Sequence, residues 1–231
     1  MPGQRIVVLT GAGISRESGL DTFRDAGGIW SRVRIEDVAT PEAFARDPAR
    51  VHAFYNARRA RLAEVRPNAA HEALARLERQ LDGGLLVVTQ NVDDLHERCG
   101  SQALLHMHGE LRRARCNACG ARPEWRTDTG ADVPCPSCGE PRLRPDVVWF
   151  GEMPMHMEAI EAALERCDLF VAIGTSGTVH PAAGFVRSVR RHVRTIELNL
   201  EPSPEHSRFA RSIQGPATVV VPALVRELLG E

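Results

Sequence analysis

Four of the six cysteines form two pairs, and each pair has two residues between its members. The pairs are Cys116 with Cys119 and Cys135 with Cys138. In a reducing compartment, CxxC pairs at this spacing are typical of metal ligands rather than disulfides. Four thiolates fill the tetrahedral shell of zinc and leave no position for water or substrate. We therefore predict one structural zinc ion at these four cysteines.

A glycine-rich segment, TGAGIS at positions 10–15, follows the first strand-like run. Glycines here would let backbone amides approach a phosphate at a helix N-terminus. The segment departs from the GxGxxG fingerprint because Arg16 replaces the third glycine, and no acidic residue obviously ends the second strand. An ordinary hydride-transferring dehydrogenase is disfavoured. By itself the pattern fits a nucleotide loop and a plain tight turn equally well.

Composition excludes other chemistry. All 29 basic side chains are arginine, so a P-loop lysine, a Schiff-base lysine and a lysine general base are impossible. Basic and acidic residues nearly cancel, which gives a formal net charge of −1 and predicts no nucleic-acid or membrane partner. The apolar runs are too short for a bilayer span or a signal peptide, so we expect a cytoplasmic protein.

Short runs rich in Val, Ile and Leu predict six buried parallel strands, at 5–9, 85–89, 104–107, 169–173, 195–198 and 218–221. Helical periodicity lies between most of them, at 68–80, 156–166, 181–191 and 222–229. This alternation is typical of an α/β fold with a doubly wound parallel sheet. Two stretches interrupt it, a run of short helices and the cysteine region, and they predict a smaller lobe inserted into a single catalytic unit.

Further motifs occur in a fixed order along the chain: SGLDTFRD and GGIW at 18–30, TQNVDDLH at 89–96, HMHGEL at 106–111, RPDVVWFGE at 144–152, GTSGTVHP at 174–181 and NLE at 199–201. With the glycine loop and the cysteine pairs, these motifs resemble the sirtuins, which are NAD-dependent protein deacylases. The resemblance covers nearly the whole chain. It implies a Rossmann-like large lobe (1–28, 67–110 and 145–231) and a small lobe with helices (29–66) and a zinc ribbon (111–144).

The resemblance also implies that NAD, a consumed co-substrate, lies between the lobes. Its pyrophosphate and nicotinamide ribose would meet Gly11, Ala12, Gly13, Ile14, Ser15, Thr22, Phe23, Arg24 and Trp30. The ribose and nicotinamide amide would be oriented by Gln90, Asn91, Val92 and Asp93. The adenosine half would be held by Gly174, Thr175, Ser176, Asn199, Leu200, Glu201 and Ala217.

His108 is the candidate base, with Asn91 and Asp93 as the other catalytic residues. In this family a base deprotonates a ribose hydroxyl, and an imidazole suits that step because its ordinary pKa lies near neutrality. A lone histidine would more simply be a core residue, but the HGxL context after a strand favours catalysis. His106 would point to the same side of an extended strand, so it is the residue most easily confused with His108.

An extended acyl-lysine peptide would add as a strand between two loops of the chain, which favours broad specificity among protein substrates. The residues implied are Val148, Phe150, Gly151, Glu152, Gly177 and Val179. We expect no membrane or nucleic-acid partner and a monomeric protein.

Tyr55, the only tyrosine, and Arg58 are three residues apart on a predicted helix and face the same way. A guanidinium and a phenol at the end of an acyl channel would bind a carboxylate, as in succinyl-, malonyl- or glutaryl-lysine. The alternative is a solvated arginine beside a half-buried ring. The FYxxRR string resembles the sirtuin branch associated with acidic acyl groups, including short bacterial members that also deacetylate.

We therefore predict NAD-dependent removal of acetyl and succinyl or malonyl groups from protein lysines, with nicotinamide, free lysine and O-acyl-ADP-ribose as products. Two alternatives remain. The same fold could act mainly as an ADP-ribosyltransferase or on another short acyl class. Alternatively, the protein could belong to a different class, a non-catalytic module that binds NAD or nucleic acid through its zinc ribbon.

Overall fold

A computed structural model describes residues 3–21 and 33–231. Six strands of this part of the chain form one parallel sheet in the order β3-β2-β1-β6-β7-β8. Their bounds are β1 Ile6–Thr10, β2 Leu85–Thr89, β3 Leu104–His106, β6 Leu169–Ile173, β7 Arg194–Asn199 and β8 Arg211–Gln214. When only these six strands are numbered along the chain, their order in the sheet is 3-2-1-4-5-6, which is that of the Rossmann fold. The predicted fold class is confirmed.

Helices cover both faces of the sheet. These are α1 Ala12–Arg16, α5 Ala69–Leu81, α6 Leu95–Arg98, α7 Met157–Arg166, α8 Phe185–Ser188 and α9 Ala217–Leu229. Alternate residues of β1 enter two different apolar clusters, Ile6 and Val8 with α5 and α9, and Val7 and Leu9 with α7 and α8. Both faces of the central strands are therefore buried, which explains why their sequences are continuous apolar runs.

The smaller elements are the helices α2 Ile35–Val38, α3 Pro41–Arg46 and α4 Pro48–Leu62, with the antiparallel strands β4 Gly109–Cys116 and β5 Leu143–Val147. Side chains of Thr40 and Asp47 cap α3 and α4, and each helix begins with a proline, as helix N-termini favour. One apolar cluster contains residues of the helices α2, α3 and α4 together with Leu111, Val147 and Trp149. The helical segment and the base of the cysteine ribbon therefore share a core.

The predicted strand at 218–221 is wrong, because these residues belong to α9. Their β-branched side chains favour a strand, but Val221, Leu224, Val225 and Leu228 form one buried helical face. Packing of that face outweighs the local propensity. The sixth strand is β8, whose single apolar residue, Ile213, gives no hydrophobic run. The helix predicted at 181–191 is also too long, since only a 3₁₀ turn at Ala182–Gly184 and α8 form there.

Candidate active site

The glycines of the loop between β1 and α1 meet the end of β6, where the strand order reverses. The backbone N–H of Gly13 donates to the carbonyl of Gly174 over 2.9 Å. A Cβ atom at Gly13 would lie 2.6 Å from the Cα of Gly174, and Gly174 has a φ of +61°. Glycine alone satisfies both positions. In doubly wound sheets, ligands bind in the crevice outside such a reversal.

Asn91, Ser15 and Asp93 form one buried polar network beside this loop. The Asn91 amide donates to the carbonyl of Gly11 and to the Ser15 hydroxyl, each over 3.1 Å. The Ser15 hydroxyl donates to Asp93 over 3.0 Å, and the second carboxylate oxygen accepts from the backbone N–H of Leu95. Burial raises the pKa of Asp93, and these hydrogen bonds partly oppose the rise. Three predicted residues thus hold one another in fixed orientations.

His108 follows β3 at the same edge of the sheet and is half-buried. Its Nδ1 lies 3.0 Å from the carbonyl oxygen of Gln90. A carbonyl oxygen only accepts, so Nδ1 carries the proton of the neutral ring and Nε2 is the basic nitrogen. Burial lowers the pKa of His108, and the Gln90 carbonyl partly opposes that effect. The geometry therefore presents a neutral imidazole that can accept a proton at Nε2.

His106 differs from His108 although both lie near the end of β3. Its Nδ1 lies 3.1 Å from the carbonyl of Asn91, and its Nε2 lies 2.7 Å from the carboxylate of Glu97. Both ring nitrogens therefore face acceptors. Burial alone would lower the pKa of His106, but the Glu97 carboxylate raises it overall. The two acceptors favour the protonated form of the ring, which contacts the Asn91 backbone.

Two further histidines, His71 and His96, lie behind the polar network, and sequence reasoning missed them. The His71 Nε2 lies 3.5 Å from the Ser15 hydroxyl, and the His96 Nε2 lies 3.1 Å from the hydroxyl of Thr10. Their rings contact each other edge to face. Burial lowers the pKa of His71 to about 4 and that of His96 well below its ordinary value. The sequence signals were the position of His71 on the apolar face of α5 and the place of His96 in the TQNVDDLH motif.

The loops after β6, β7 and β8 meet at the other half of the crevice. The Asn199 side-chain amide donates to the carbonyl of Thr175 over 3.1 Å. The backbone N–H of Gly215 donates to the Asn199 carbonyl, which brings the start of α9 to this edge. Of the other residues predicted for the adenosine half, Ala217 begins α9 and the rest lie in these loops: Gly174, Ser176, Leu200 and Glu201.

The first predicted peptide loop is hydrogen-bonded to the backbone of His108, the candidate base. The backbone N–H of Val148 donates to the carbonyl of His108 over 2.9 Å, and Phe150 exposes 47% of its surface. The Glu152 carboxylate is already held by Arg144, at 2.7 and 2.9 Å, so this side chain fixes the loop. The second predicted loop contains Gly177 and Val179, both half-buried.

Tyr55 and Arg58 lie on α4 and face the same side, as their spacing predicts. Tyr55 is 1% exposed, and its hydroxyl accepts from the indole N–H of Trp149 over 3.0 Å. The Arg58 guanidinium carbon lies 5.9 Å from the Tyr55 ring centroid, and the residue is half-buried. Burial lowers the pKa of Arg58, while Tyr55 and Asp93 oppose that effect. Arg58 is therefore within electrostatic range of the polar network.

The four cysteines converge at the end of the β4–β5 pair. The sulfur atoms are 3.7 Å apart for Cys116 and Cys138 and 3.8 Å apart for Cys119 and Cys135, and all four lie within 4.8 Å of one another. Zinc–sulfur bonds of about 2.3 Å in a tetrahedron put sulfurs about 3.8 Å apart. The cysteines are placed to bind a zinc ion, as predicted.

Thr22, Phe23, Arg24 and Trp30, predicted to contact NAD, lie outside the described residues. Within residues 3–21 and 33–231, no helix combines the length and the apolar character needed to cross a membrane.

A Rossmann-type sheet with glycines at its reversal and a buried amide–carboxylate network beside them defines an α/β protein of the dinucleotide-binding class. The chain belongs to the Sir2 family, whose sequence profile matches residues 11–181. It is 54% identical to proteins named NAD-dependent protein deacylase from Salmonella typhimurium and Vibrio cholerae. The alignments cover 99% of this chain and 85% and 95% of those proteins.

Solved structures of Sir2 proteins superpose closely. A complex of a Sir2 homologue with NAD is 41% identical with a TM-score of 0.89, over 98% of this chain and 90% of that one. A mutant Sir2 homologue bound to 2′-O-acetyl-ADP-ribose is 41% identical with a TM-score of 0.88, covering 98% and 92%. A Sir2 complex with a deacetylated p53 peptide and 3′-O-acetyl-ADP-ribose is 28% identical with a TM-score of 0.80, covering 96% and 93%.

Proposed function

We propose that this protein is an NAD-dependent protein-lysine deacylase that removes acetyl groups and also succinyl or malonyl groups. The products are nicotinamide, the free lysine and O-acyl-ADP-ribose. The observation that carries the proposal is the 3.0 Å contact of the His108 Nδ1 with the Gln90 carbonyl, which leaves Nε2 as the basic nitrogen at the carboxyl edge of a Rossmann sheet. The names of the relatives, and the NAD and acetyl-ADP-ribose bound to the solved homologues, support it.

The crevice fits a dinucleotide. Because Gly11 and Gly13 have no side chains, the β1–α1 loop packs directly against Gly174 at the sheet reversal, where a pyrophosphate would meet the loop backbone. The loops that carry Thr175 and Asn199 are linked at the opposite half, where an adenosine would lie. NAD supplies the anomeric carbon, which loses nicotinamide as the acyl-lysine oxygen bonds to it. The protein must bind both substrates and exclude water, which would otherwise take the place of that oxygen.

His108 accepts a proton from a ribose hydroxyl at its Nε2 atom. Nδ1 is committed to the Gln90 carbonyl, which orients the ring and stabilises the cation formed. Asn91 and Asp93 orient the nicotinamide end, and their contacts to Ser15 prevent rotation of their side chains. The network itself is buried from water.

The partner is an acyl-lysine protein or peptide that lies extended along the loop containing Val148 and Phe150. Because the Val148 N–H is bonded to the His108 carbonyl, the loop has a fixed distance from the base. Gly151, Gly177 and Val179 complete the groove. Main-chain hydrogen bonds would provide most of the affinity, with little selection among side chains.

Arg58 and Tyr55 bind the carboxylate of an acidic acyl group. Arg58 carries a charge that is only half-buried and lies beside the Asp93 network, so the terminus of an acyl chain can reach it. Tyr55 lies deeper and offers its hydroxyl proton. A partly desolvated guanidinium gives a charge-assisted contact that is stronger than the same contact in water.

We also propose the lobe boundaries given by the sequence, with NAD between the large lobe and the small lobe. The apolar clusters on the two faces of the sheet are separate from that of the helical segment, which supports this division. The helical cluster crosses the boundary at Val147 and Trp149, where the lobes are joined. A cytoplasmic monomer without nucleic-acid or membrane partners remains the working expectation.

Mass spectrometry of acetylated and succinylated peptides, incubated with the protein and NAD, tests the function. We expect NAD-dependent loss of both acyl groups with release of nicotinamide, and no loss with His108→Tyr. ADP-ribosylated protein without deacylation would favour the transferase alternative. Unchanged peptides and no nicotinamide release would favour a non-catalytic binding module.

A further inference from the structure

Trp149 links the peptide loop to the candidate carboxylate site. Its indole nitrogen carries the only polar hydrogen of the side chain, and that hydrogen is donated to the Tyr55 hydroxyl over 3.0 Å. Trp149 is 2% exposed and Tyr55 is 1% exposed, so water does not compete for this bond. One lone pair of the phenol oxygen is therefore committed to Trp149, and the hydroxyl proton must point elsewhere.

Arg144 fixes the position of the Trp149 ring. Its guanidinium carbon lies 3.3 Å from the ring centroid, within the range of a strong cation–π contact. The same guanidinium holds both oxygens of Glu152, and Glu152 accepts from the backbone N–H of Trp149 over 2.9 Å. Phe44 packs against the ring at a centroid distance of 5.2 Å. Backbone and side chain of Trp149 are thus both held in place.

From this arrangement we infer that Trp149 is a positioning residue for acyl selectivity, whose indole N–H orients the Tyr55 hydroxyl proton toward the carboxylate of an acidic acyl group. The inference rests on the proposed function, because it needs that carboxylate to bind at Arg58 and Tyr55. An acetyl group has no such carboxylate. Loss of the indole N–H should therefore affect succinyl-lysine and spare acetyl-lysine.

Trp149→Phe removes the N–H and keeps an aromatic ring for Arg144 and Phe44. Trp125→Phe is the matched control, because the Trp125 indole also donates one hydrogen bond, to the carbonyl of Asp128 in the zinc ribbon. For Trp149→Phe we expect the ratio of kcat/KM for a succinylated peptide to kcat/KM for the acetylated peptide to fall about fivefold to tenfold. The control should leave this ratio unchanged.

A double-mutant cycle tests whether Trp149 acts through the phenol. In a Tyr55→Phe background, Trp149→Phe should lower the ratio of desuccinylation to deacetylation no further, because the shared hydroxyl is already gone. Additive effects would mean that Trp149 acts on selectivity by another route and would overturn the inference.

Tyr55 is the only tyrosine in the chain, so its hydrogen bond can be observed without measuring activity. Protein labelled with ¹³C at the tyrosine Cζ should give one NMR resonance, which moves in Trp149→Phe and stays in place in Trp125→Phe. An unmoved resonance, or equal losses for both peptides, would overturn the inference. A wild-type protein that deacetylates but never desuccinylates would instead refute the proposed acyl range, and the selectivity role would fall with it.

Discussion

His106 and His108 are two residues apart, yet their surroundings shift their pKa values in opposite directions. Burial lowers the pKa of His108, whose Nδ1 faces the Gln90 carbonyl. For His106 the Glu97 carboxylate outweighs burial and raises the pKa. The two shifts favour the neutral ring at His108 and the protonated ring at His106.

The pH dependence of kcat/KM should report the His108 base. A base must be neutral to accept a proton, and a lowered pKa keeps it neutral further into the acid range. We expect the acid limb of the profile to have its midpoint below the ordinary histidine value of 6.5. The measurement is kcat/KM for an acetylated peptide over a pH series. A midpoint above 6.5 would indicate His106 instead.

Gly174→Ala should destabilise the protein and weaken NAD binding. An added Cβ would lie 2.5 Å from the backbone nitrogen of Ile14, and the φ of +61° adds strain. We expect a loss of about 3 kcal/mol or more in the free energy of unfolding, and at least about tenfold weaker NAD binding. Gly230→Ala is the control, because Gly230 has a φ of +77° and nothing within 4 Å. It should cost only about 1 kcal/mol. Calorimetric titration with NAD and thermal melts measure both quantities, and equal effects would refute the close approach.

Arg58→Met should reduce desuccinylation about tenfold to a hundredfold while deacetylation changes less than about threefold. The substitution keeps the apolar stem and removes the charge that would bind the acyl carboxylate. Arg61→Met, an exposed position on the same helix paired with Glu64, serves as control and should alter neither rate. Steady-state kinetics with matched acetylated and succinylated peptides provide the comparison. Equal losses in Arg58→Met would assign the arginine to the fold.

Cys138→Ser should lower the zinc content and unfold the cysteine ribbon. With one thiolate missing, the metal can no longer contribute its binding energy to folding, and we expect a loss above about 4 kcal/mol. Cys99→Ser, outside the cluster, should retain one zinc and stay within about 1 kcal/mol of wild type. Elemental analysis and thermal melts of the two variants decide the outcome. An unchanged melt in metal-free Cys138→Ser would contradict the structural role.

Local sequence patterns were sufficient for most of the sheet, since β1, β2 and β6 are mainly apolar runs that are almost entirely buried. The cysteine spacing predicted the metal site because a tetrahedral shell needs four soft ligands in two pairs. The roles of Asn91 and His108 came from the resemblance to the sirtuins, because residue spacing by itself does not distinguish a catalytic histidine from a core histidine. The sheet and the metal site were predictable because hydrophobic periodicity and ligand spacing are properties of residues close together in the chain.

Contacts between distant residues were decided only by the tertiary structure. The Trp149 bond to Tyr55 spans 94 residues, and nothing in either local sequence indicates it. The Thr218–Val221 segment is helical because its apolar face packs on the core, against its own β propensity. The charge of each histidine depends on which carbonyl or carboxylate folding brings to it. Electrostatic and packing energies act through space, so residues far apart in the chain determine them together.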